Sequence, residues 1–436
     1  MKTVKIGLIG YGLIGQGVIR LLKENGGEIA ARLGARLELA GVADVDISRP
    51  RKVKVKKQIL TNDPSRLIND PDIPIIIELA GDWPGVKDQI IAALRAGKSV
   101  VTANKALLAK HGDEIWKTAA ETGQDIYYEA SVCGTIPIIR VLREGLAANK
   151  IQAIYGIVNG TCNYILTGMT RGLGDYREIL AQAQAKGYAE ARPEADVEGY
   201  DAAHKLAILV RLGFGIPIKL SQIHREGITK IESADIMAAD HLGFAIKLLA
   251  IAKVSNGGLE ARVHPTLVPK DSTLAAVAGP YNAVYVLGNM AGPTIYYGQG
   301  AGQEPTAAAV VGDVMELARR VISGAPPRRL HSGAFQDDYA PTLKPLPMPE
   351  LETEYYLRMH VADRPGVLSR VAGVLGENKI SIKSVIQRNR ERGPVASIVI
   401  MTHKAREEMM QKAQAQFKKL REVKGQGHMI RVETNL

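Results

Sequence analysis

A segment near the middle of the chain, EGYDAAHKLAILVRLGF at residues 198–214, predicts a helix that carries an acid and a base one turn apart. Asp201 and Lys205 are four residues apart, which places both side chains on one helical face. Most such pairs are solvated ion pairs that contribute little to stability. In a partly desolvated cleft, however, a carboxylate keeps a neighbouring ammonium charged, and a charged lysine can give a proton to an alkoxide. The other motifs must decide between these two interpretations.

A glycine-rich turn, GYGLIG at residues 10–15, follows the short apolar segment TVKIGLI and precedes a helical pattern. The spacing G-x-G-x-x-G permits a tight turn, the close approach of a pyrophosphate to the backbone and the packing of helix on strand. The helix N-terminus favours an anion. In this context the motif predicts a dinucleotide site. The predicted backbone contacts are Gly10, Gly12, Leu13, Ile14 and Gly15.

The second predicted strand ends in GVADVDISRPRK, which contains both an acid and a basic run. Asp44 is placed to bind the ribose hydroxyls of NAD, whereas Arg49 and Arg51 are placed to bind the extra phosphate of NADP. The alternation of lysine and valine from 52 to 56 is also typical of a solvated edge strand. The sequence therefore leaves NAD and NADP both open.

A lysine and a glutamate each follow a later strand of the same region. Lys105, in TANKALL, comes just after the carboxyl end of a strand, where ligands bind in open α/β sheets. Glu129 begins a segment of small residues whose irregular backbone could offer carbonyl oxygens, with one carboxylate, to a hard cation. On chemistry alone, a structural corner is the preferred interpretation of Glu129.

The elements that position these residues fall into distinct regions. Residues 1–135 alternate strands and helices, which predicts an α/β domain with a Rossmann-type doubly wound parallel sheet. We expect residues 301–325 to return to this domain, because a glycine-rich turn opens their helix. Residues 136–300 predict an α+β substrate-binding and dimerisation domain. A proline-rich linker at 326–352 then precedes 353–436, whose βαββαβ order predicts a separable ferredoxin-like domain.

Composition limits the function classes. The chain of 436 residues is 46% hydrophobic and 23% charged, and no apolar run approaches the ~20 residues that span a bilayer. Two cysteines form no disulfide framework, which favours a reducing cytoplasm. The net charge of +11 suggests nucleic acid, but an aromatic content of 5% leaves little for base stacking. We therefore expect a cytoplasmic protein that binds neither nucleic acid nor membrane.

Taken together, these motifs resemble the homoserine dehydrogenase family. The resemblance covers roughly residues 1–325 and is carried by GLIGYGLIGQGV, TANKALL, YEASVCGTIPIIR, GIVNGTCNYIL and, most specifically, AKGYAEARPEADVEGYDAAHKLAIL at 185–209. Residues 353–436, with VADRPGVLSRVAGVL, are similar to an ACT regulatory domain. The resemblance implies reversible NAD(P)H-dependent reduction of L-aspartate 4-semialdehyde to L-homoserine (EC 1.1.1.3), in threonine, methionine and isoleucine biosynthesis.

The family's functional residues carry over to positions in this chain. The catalytic lysine falls on Lys205, with Asp201 as the carboxylate beside it and Lys105 as a second active-site lysine that also touches substrate and cofactor. The resemblance assigns the substrate's ammonium group to Glu190. Its alkali-cation site, usually sodium, maps onto Glu129, Val132, Gly134 and Ile136. Backbone near the cofactor maps onto Gly187, Gly300 and Gly302.

Other functions and partners follow from the same residues. The alternatives are a different NAD(P)-dependent amino-acid dehydrogenase and a non-catalytic amino-acid sensor. Retention of Lys105, Glu190, Asp201 and Lys205 together argues against the sensor. The turn at 363–366, before an apolar helix of the ACT-like region, is a candidate site for threonine. The family implies a homodimer or homotetramer.

Overall fold

The computed structural model describes residues 1–81, 83–325, 334–336, 339, 342–387, 395–434 and 436. The chain forms two compact units. Unit 1 comprises Met1–Ile154, His204–Leu220 and Asn282–Thr342, and unit 2 comprises Tyr155–Ala203, Ser221–Tyr281 and Leu343–Leu436. Most of the predicted linker between 326 and 341 lies outside the described residues.

The strands and helices have the following bounds. The strands are β1 Lys2–Ile9, β2 Ala35–Ala43, β3 Leu60–Thr61, β4 Ile75–Glu78, β5 Ser99–Thr102, β6 Ile126–Tyr127, β7 Ile151–Ile157, β8 His224–Arg225, β9 Phe244–Ser255, β10 Gly258–Pro269, β11 Tyr281–Gly288, β12 Gly292–Gln299, β13 Glu352–Ala362, β14 Ile382–Gln387, β15 Val395–Thr402, β16 Ala405–Arg406 and β17 Val423–Val432. The helices are α1 Leu13–Glu24, α2 Gly26–Leu33, α3 Ser65–Ile68, α4 Val86–Arg95, α5 Lys105–Thr122, α6 Ile138–Arg140, α7 Gly160–Thr170, α8 Tyr176–Ala185, α9 Glu194–Val197, α10 Tyr200–Phe214, α11 Ser233–His241, α12 Gln303–Ser323, α13 Val367–Glu377 and α14 Glu407–Phe417.

Unit 1 contains a six-stranded sheet in the order β3-β2-β1-β4-β5-β6. Its strand pairs are parallel. The inner strands β4 and β5 are buried along their whole length, as the continuous apolar segments of a sheet covered on both faces require. This order confirms the predicted Rossmann-type doubly wound sheet and places the glycine-rich turn at the carboxyl end of β1.

Helix α12 packs on the same sheet. Val310, Val314 and Leu317 share one hydrophobic core with Val18 and Ile19 of α1. The two helices approach closely at Gly17, where a Cβ atom would lie 2.8 Å from Cγ of Gln303. Helix α12 therefore belongs to unit 1 and packs beside α1 on its sheet.

Unit 2 contains a long antiparallel ladder between β9 and β10 and a C-terminal domain at residues 353–436. Apart from the two-residue strand β16, the C-terminal domain has the order βαββαβ, and its sheet order is β17-β13-β15-β14. Helices α13 and α14 contribute Val371 and Met410 to the core beneath that sheet. This arrangement confirms the predicted ferredoxin-like fold.

The C-terminal domain is joined to the rest of unit 2, which differs from the separable domain that the sequence predicted. Strand β17 pairs in parallel with β10 at Thr266 and Arg431. The end of the predicted linker is also bound, because Leu259 N–H donates to Lys344 O and Leu346 N–H donates to Leu259 O, each over 2.8 Å. The prolines of this segment predicted an unpaired linker, so this pairing was not expected from the sequence.

Other sequence expectations also change at the level of single elements. The strand before Glu129 has only the two residues of β6, because a 3-10 turn begins at Glu129. The basic run forms a loop rather than an edge strand, and its Lys52 and Val53 N–H groups donate to Gln16 Oε1. Helix α2 and strand β9 were absent from the sequence expectation. No helix in the described part of the chain is both long and apolar enough to cross a bilayer.

Candidate functional site

The glycine-rich turn of unit 1 owes its shape to two close backbone approaches. Gly10 has φ of +100°, and a Cβ atom there would lie 2.4 Å from the carbonyl carbon of Leu79. At Gly15 a Cβ atom would lie 2.2 Å from Gly10 O, so neither position tolerates a side chain. Gly12 is the N-cap of α1, which leaves the first N–H groups of the helix, at Leu13 and Ile14, directed at an incoming anion.

Asp44 lies at the end of β2 and faces this turn. Its carboxylate accepts from Tyr11 N–H over 2.6 Å and pairs with Arg51 over 2.8 Å. Arg51 also donates to Tyr11 O over 3.0 Å and lies 4.5 Å from the centre of the Tyr11 ring. The guanidinium, with 6% of its side chain exposed, therefore neutralises the acid that the sequence assigned to the ribose of NAD.

A cavity of about 430 Å³ opens beside this pair. Its charged lining residues are Arg20, Asp44, Asp46, Arg49, Arg51 and Lys52. Bases thus outnumber acids, and Arg49 is exposed whereas Arg51 is held by the turn. The cavity fits a ligand that carries negative charge, and Arg49 is the better placed of the two predicted arginines to reach it.

Lys105 begins α5 beyond the carboxyl end of β5. Asn104 caps the helix by accepting from Leu107 N–H over 3.0 Å and donates to Gly81 O over 2.7 Å. Thr102 donates over 2.6 Å to Glu78, a buried acid at the end of β4. Burial raises the pKa of Glu78. Sequence reasoning missed Glu78, although an acid at the end of an apolar strand is a recognisable signal.

The predicted cation loop begins at Glu129, whose side chain serves a structural purpose. Its carboxylate accepts from the N–H groups of Ile139 over 2.7 Å and Arg140 over 3.0 Å, at the start of a helical turn. Its own N–H donates to Asp313 over 2.9 Å. Burial, reinforced by the nearby Asp313 charge, raises the pKa of Glu129 to about 7. Burial also raises the pKa of Asp313 to about 6, against the opposing effect of Arg140.

The rest of this loop approaches the start of α12 within unit 1. Gly134 has φ of +53°, and a Cβ atom there would lie 2.9 Å from the carbonyl carbon of Gly300. Thr135 Oγ1 donates to Gln299 O over 3.1 Å. Gly302 is the N-cap of α12, and Gln303 Nε2 donates to Leu13 O over 2.8 Å. The structure thus brings together the glycine-rich turn, the start of α12 and the loop containing Val132, Gly134 and Ile136.

In unit 2 the acid of the opening motif belongs to a buried polar group. Asn159, the N-cap of α7, donates to Asp201 over 2.9 Å and to Asp196 over 2.7 Å. Its oxygen accepts from Cys162 N–H over 2.8 Å. Thr161 donates to Tyr188 O over 2.6 Å. Asn159 lies in the motif GIVNGTCNYIL without a predicted role, and its position just before a helix was the available signal.

Helix α10 carries both Asp201 and Lys205. Only 8% of Asp201 and 7% of Lys205 is exposed, which excludes a solvated surface pair. The helix begins in unit 2, where Asp201 lies, and Lys205 belongs to the part of α10 in unit 1. Both charged side chains are therefore buried, as groups that do chemistry in a cleft usually are.

Gly187 and Glu190 lie in the turn that follows α8 in unit 2. Gly187 has φ of +75°, a left-handed conformation that glycine adopts more readily than other residues. Gln184 donates to Glu190 O over 3.0 Å, which fixes the backbone of the turn, and the Glu190 side chain is exposed. The ring of Tyr188, in this turn, lies 5.0 Å from the ring of Tyr164 in α7. An exposed carboxylate on a fixed turn can receive a ligand's ammonium group.

Three family models match this chain. The homoserine dehydrogenase model matches residues 137–315, the homoserine dehydrogenase NAD binding domain matches residues 10–129, and the ACT domain matches residues 355–422. A homoserine dehydrogenase of Pseudomonas aeruginosa is 43% identical over 435 residues, which covers 99% of each chain. The chain belongs to the homoserine dehydrogenase family. A homoserine dehydrogenase of Corynebacterium glutamicum is 42% identical over 99% of this chain and 96% of its own length.

Solved homoserine dehydrogenases have the same fold. The crystal structure from Thiobacillus denitrificans matches with a TM-score of 0.93 at 40% identity, over 100% of this chain and 99% of that chain. A hyperthermophilic archaeal homoserine dehydrogenase in complex with NADPH matches with a TM-score of 0.61 at 26% identity, over 75% of this chain and 100% of that one. These matches confirm the family inferred from the motifs and, with it, an NAD(P)-dependent oxidoreductase.

Proposed function

We propose that this homoserine dehydrogenase interconverts L-aspartate 4-semialdehyde and L-homoserine, with Lys205 as the proton donor. The observation that carries the assignment of the donor is the burial of Lys205 together with Asp201, one helical turn away, whose carboxylate Asn159 holds. A buried ammonium without a nearby carboxylate would tend to lose its proton. Asp201 therefore keeps Lys205 charged, and Asn159 keeps Asp201 in place.

The reaction needs a proton at the position where negative charge develops. The bound nicotinamide cofactor supplies the hydride that adds to the aldehyde carbon. The carbonyl oxygen then carries alkoxide charge, which Lys205 stabilises and neutralises by donating one proton from Nζ. In the reverse direction the neutral amine of Lys205 accepts the hydroxyl proton of L-homoserine.

Two further side chains are proposed to hold the amino-acid part of the substrate. Glu190, exposed on its fixed turn, pairs with the ammonium group. Lys105, at the start of α5, pairs with the carboxylate or shares in the proton transfer. The two charges together select an α-amino acid over a simple aldehyde.

We propose that both cofactors bind at the glycine-rich turn, with their phosphates at the start of α1. Gly187, Gly300 and Gly302 are proposed to supply backbone near the nicotinamide end. Arg49 is proposed to contact the extra phosphate of NADP, because it is exposed in a cavity where bases outnumber acids. Arg51 is proposed to act indirectly, by cancelling the Asp44 charge that would repel that phosphate.

An alkali cation, usually sodium in this family, is proposed to bind the carbonyl oxygens of Val132, Gly134 and Ile136. The carboxylate of Glu129 fits this role poorly, because it already accepts two N–H groups and lies 3.8 Å from the Arg140 guanidinium. Hard cations readily take carbonyl oxygens as ligands. Activity measured in sodium and in N-methylglucamine buffers of equal ionic strength, together with ²³Na relaxation, tests the proposal.

The C-terminal ACT domain is proposed to bind a small regulatory molecule and to take part in a homodimer or homotetramer. Threonine at the turn 363–366 remains the first candidate, and Gly366 there has φ of +85°. Inhibition of the full chain by threonine, and its loss in Gly366→Val, tests this site. Sedimentation velocity tests the assembly.

The decisive experiment is oxidation of L-homoserine with NAD and NADP measured side by side, against a panel of other amino acids. Turnover of L-homoserine at least about a hundredfold above every other substrate is expected, because a site that pairs both charges of its substrate discriminates strongly. Preferred turnover of another amino acid would favour a different dehydrogenase. Binding of L-homoserine without turnover of either cofactor would favour an amino-acid sensor.

A further inference from the structure

Charged side chains withdrawn from water join the C-terminal domain to the body of unit 2, defined as residues 155–203 and 221–281. Arg358 donates over 2.6 Å to Asp235, and the two side chains are 5% and 0% exposed. Arg431, whose side chain is 2% exposed, donates over 2.9 Å to the half-buried Glu226 of the body and over 2.6 Å to Glu407 of its own domain. The attraction in buried ion pairs is largely offset by desolvation. A molecule that competes for one of these charges can therefore alter the junction.

A cavity of about 490 Å³ lies at this junction, within unit 2. One wall comes from β13, β17 and α14 of the C-terminal domain, and the other from Glu198 and the segment His224–Lys230 of the body. The described lining residues do not include the threonine candidate at 363–366. This junction cavity is therefore a different place from the expected ligand turn.

The junction cavity combines both signs of charge with an apolar patch. Its acids are Glu198, Glu226 and Glu407, and its bases include Arg225, Lys230, Lys418 and Arg431. Its apolar side chains include Leu357, Met359, Phe417 and Met429. Glu226, Glu407 and Arg431 already pair with one another, so the ligand is matched to the other charges of the lining, such as Glu198 and Lys230. A zwitterion with an aliphatic side chain offers a counterpart to Glu198, to Lys230 and to the apolar side chains.

The body wall of the cavity is fixed to the residues just before Asp201. Ile228 N–H donates to Val197 O over 2.8 Å. Thr229 Oγ1 donates to Glu198 over 2.9 Å, and Arg225 donates to Glu198 O. The Arg225 guanidinium lies 3.4 Å from the centre of the Tyr200 ring, at the first residue of α10.

There is little space for this segment to move alone. A Cβ atom at Gly227 would lie 2.3 Å from Val197 O. One at Gly199, where φ is +79°, would lie 3.3 Å from Cγ of Arg225. Because the backbones are this close, a displacement of His224–Lys230 must also displace the residues that lead into α10.

We propose that the junction cavity is a regulatory site for a small α-amino acid with an aliphatic side chain. Its ammonium group pairs with Glu198, its carboxylate with Lys230, and its side chain packs on Met359 and Phe417. By competing with Thr229 for Glu198, the ligand loosens the start of α10 and lowers kcat. This last step rests on the proposed role of Asp201 and Lys205 in catalysis.

Binding is tested by calorimetry on the full chain with L-leucine and two analogues. Isopentylamine lacks the carboxylate and 4-methylpentanoate lacks the ammonium group. Saturable binding of L-leucine, with each analogue at least about tenfold weaker, is expected if both charges are read. Lys230→Glu should weaken L-leucine about tenfold, and the matched control Lys404→Glu, exposed outside the cavity, should leave it unchanged. Equal binding by all three compounds, or no binding, overturns the site.

Coupling is tested by steady-state homoserine oxidation with and without L-leucine. A several-fold fall in kcat at saturating L-leucine is expected in the wild type. Thr229→Val removes the hydrogen bond from the exposed Thr229 to Glu198. This variant should still bind L-leucine, but its kcat should no longer fall. Saturable binding with unchanged kcat in the wild type overturns the coupling. A chain that binds L-leucine but oxidises no homoserine would instead refute the proposed function and leave the site intact.

Discussion

Lys205 is the side chain on which the proposed reaction depends most directly. Lys205→Met removes the proton donor while keeping an unbranched apolar side chain of similar length. We expect kcat to fall by roughly two to four orders of magnitude, the usual effect of a positioned acid, with cofactor affinity little changed. Turnover and cofactor binding by fluorescence are measured separately. Near-normal turnover would remove Lys205 from the mechanism and point to Lys105.

Asn159 shows what sequence reasoning could reach at this scale and what it could not. The i,i+4 spacing of Asp201 and Lys205 indicated a shared face, and the family motif gave them roles. The partner of Asp201 lies 42 residues earlier in the chain, so no local pattern could reveal it. Arg51 is a similar case, because the sequence placed it near a phosphate whereas the fold pairs it with Asp44.

The ion pair of Arg51 with Asp44 allows a more specific prediction about the choice between NAD and NADP than the sequence alone did. Arg51→Gln frees the Asp44 carboxylate to bind ribose hydroxyls and to repel the phosphate of NADP. NAD affinity is expected to hold or rise, while NADP affinity falls by about tenfold or more. Arg49→Gln should weaken NADP alone. Equal losses of affinity for NAD and NADP in both variants would mean that the basic run attracts the cofactors only through non-specific charge.

At the scale of elements, the sequence predicted well where periodicity was clean. The parallel strands of unit 1 and the βαββαβ order of the C-terminal domain follow directly from alternation and turn residues. Strand β9, FAIKLLAIAKVS, was missed because a continuous apolar run has no period that separates strand from helix. Strand β6 is short because the chain turns at Glu129 to meet Ile139 and Arg140, contacts that local propensity cannot report.

The turn at Glu129 predicts a pH effect on stability. A carboxyl whose pKa is raised to about 7 in the folded state binds a proton that the unfolded chain releases near 4.5. The folded state then holds more protons, so the free energy of unfolding falls as pH rises from about 4.5 to 7, by up to about 3 kcal/mol at about 1.4 kcal/mol per pKa unit. Urea unfolding across this range measures it.

The matched variants are Glu129→Gln and the exposed control Glu121→Gln. The amide that replaces the Glu129 carboxyl cannot titrate, so most of the fall between about pH 4.5 and 7 should disappear, although Asp313 retains a smaller contribution of the same sign. The control should keep the wild-type slope. An unchanged slope in Glu129→Gln would mean that this carboxyl is ionised throughout the range.

At the scale of the whole molecule, the junction decides whether the C-terminal domain can be removed. The sequence favoured a separable domain, because a proline-rich segment precedes it and its βαββαβ order is self-contained. The folded chain instead pairs β17 with β10 and withdraws Arg358, Arg431 and Asp235 from water. Pairing between strands that are far apart in the sequence leaves no local signal, since each strand taken alone has the pattern of an ordinary edge strand.

Truncation after Pro345 is therefore expected to destabilise unit 2. It removes the pairing of β17 with Thr266 and Leu267 and so uncovers part of β10, whose residues from Gly258 to Val268 are buried, and newly opened strand edges promote aggregation. The melting temperature should fall by several degrees and light scattering should rise. Arg358→Met keeps the edge covered but leaves Asp235 without its guanidinium, so it should lower stability without aggregation, by about 3 kcal/mol or more. A monodisperse truncated protein that melts at the wild-type temperature and oxidises homoserine normally would show that the domain is separable after all.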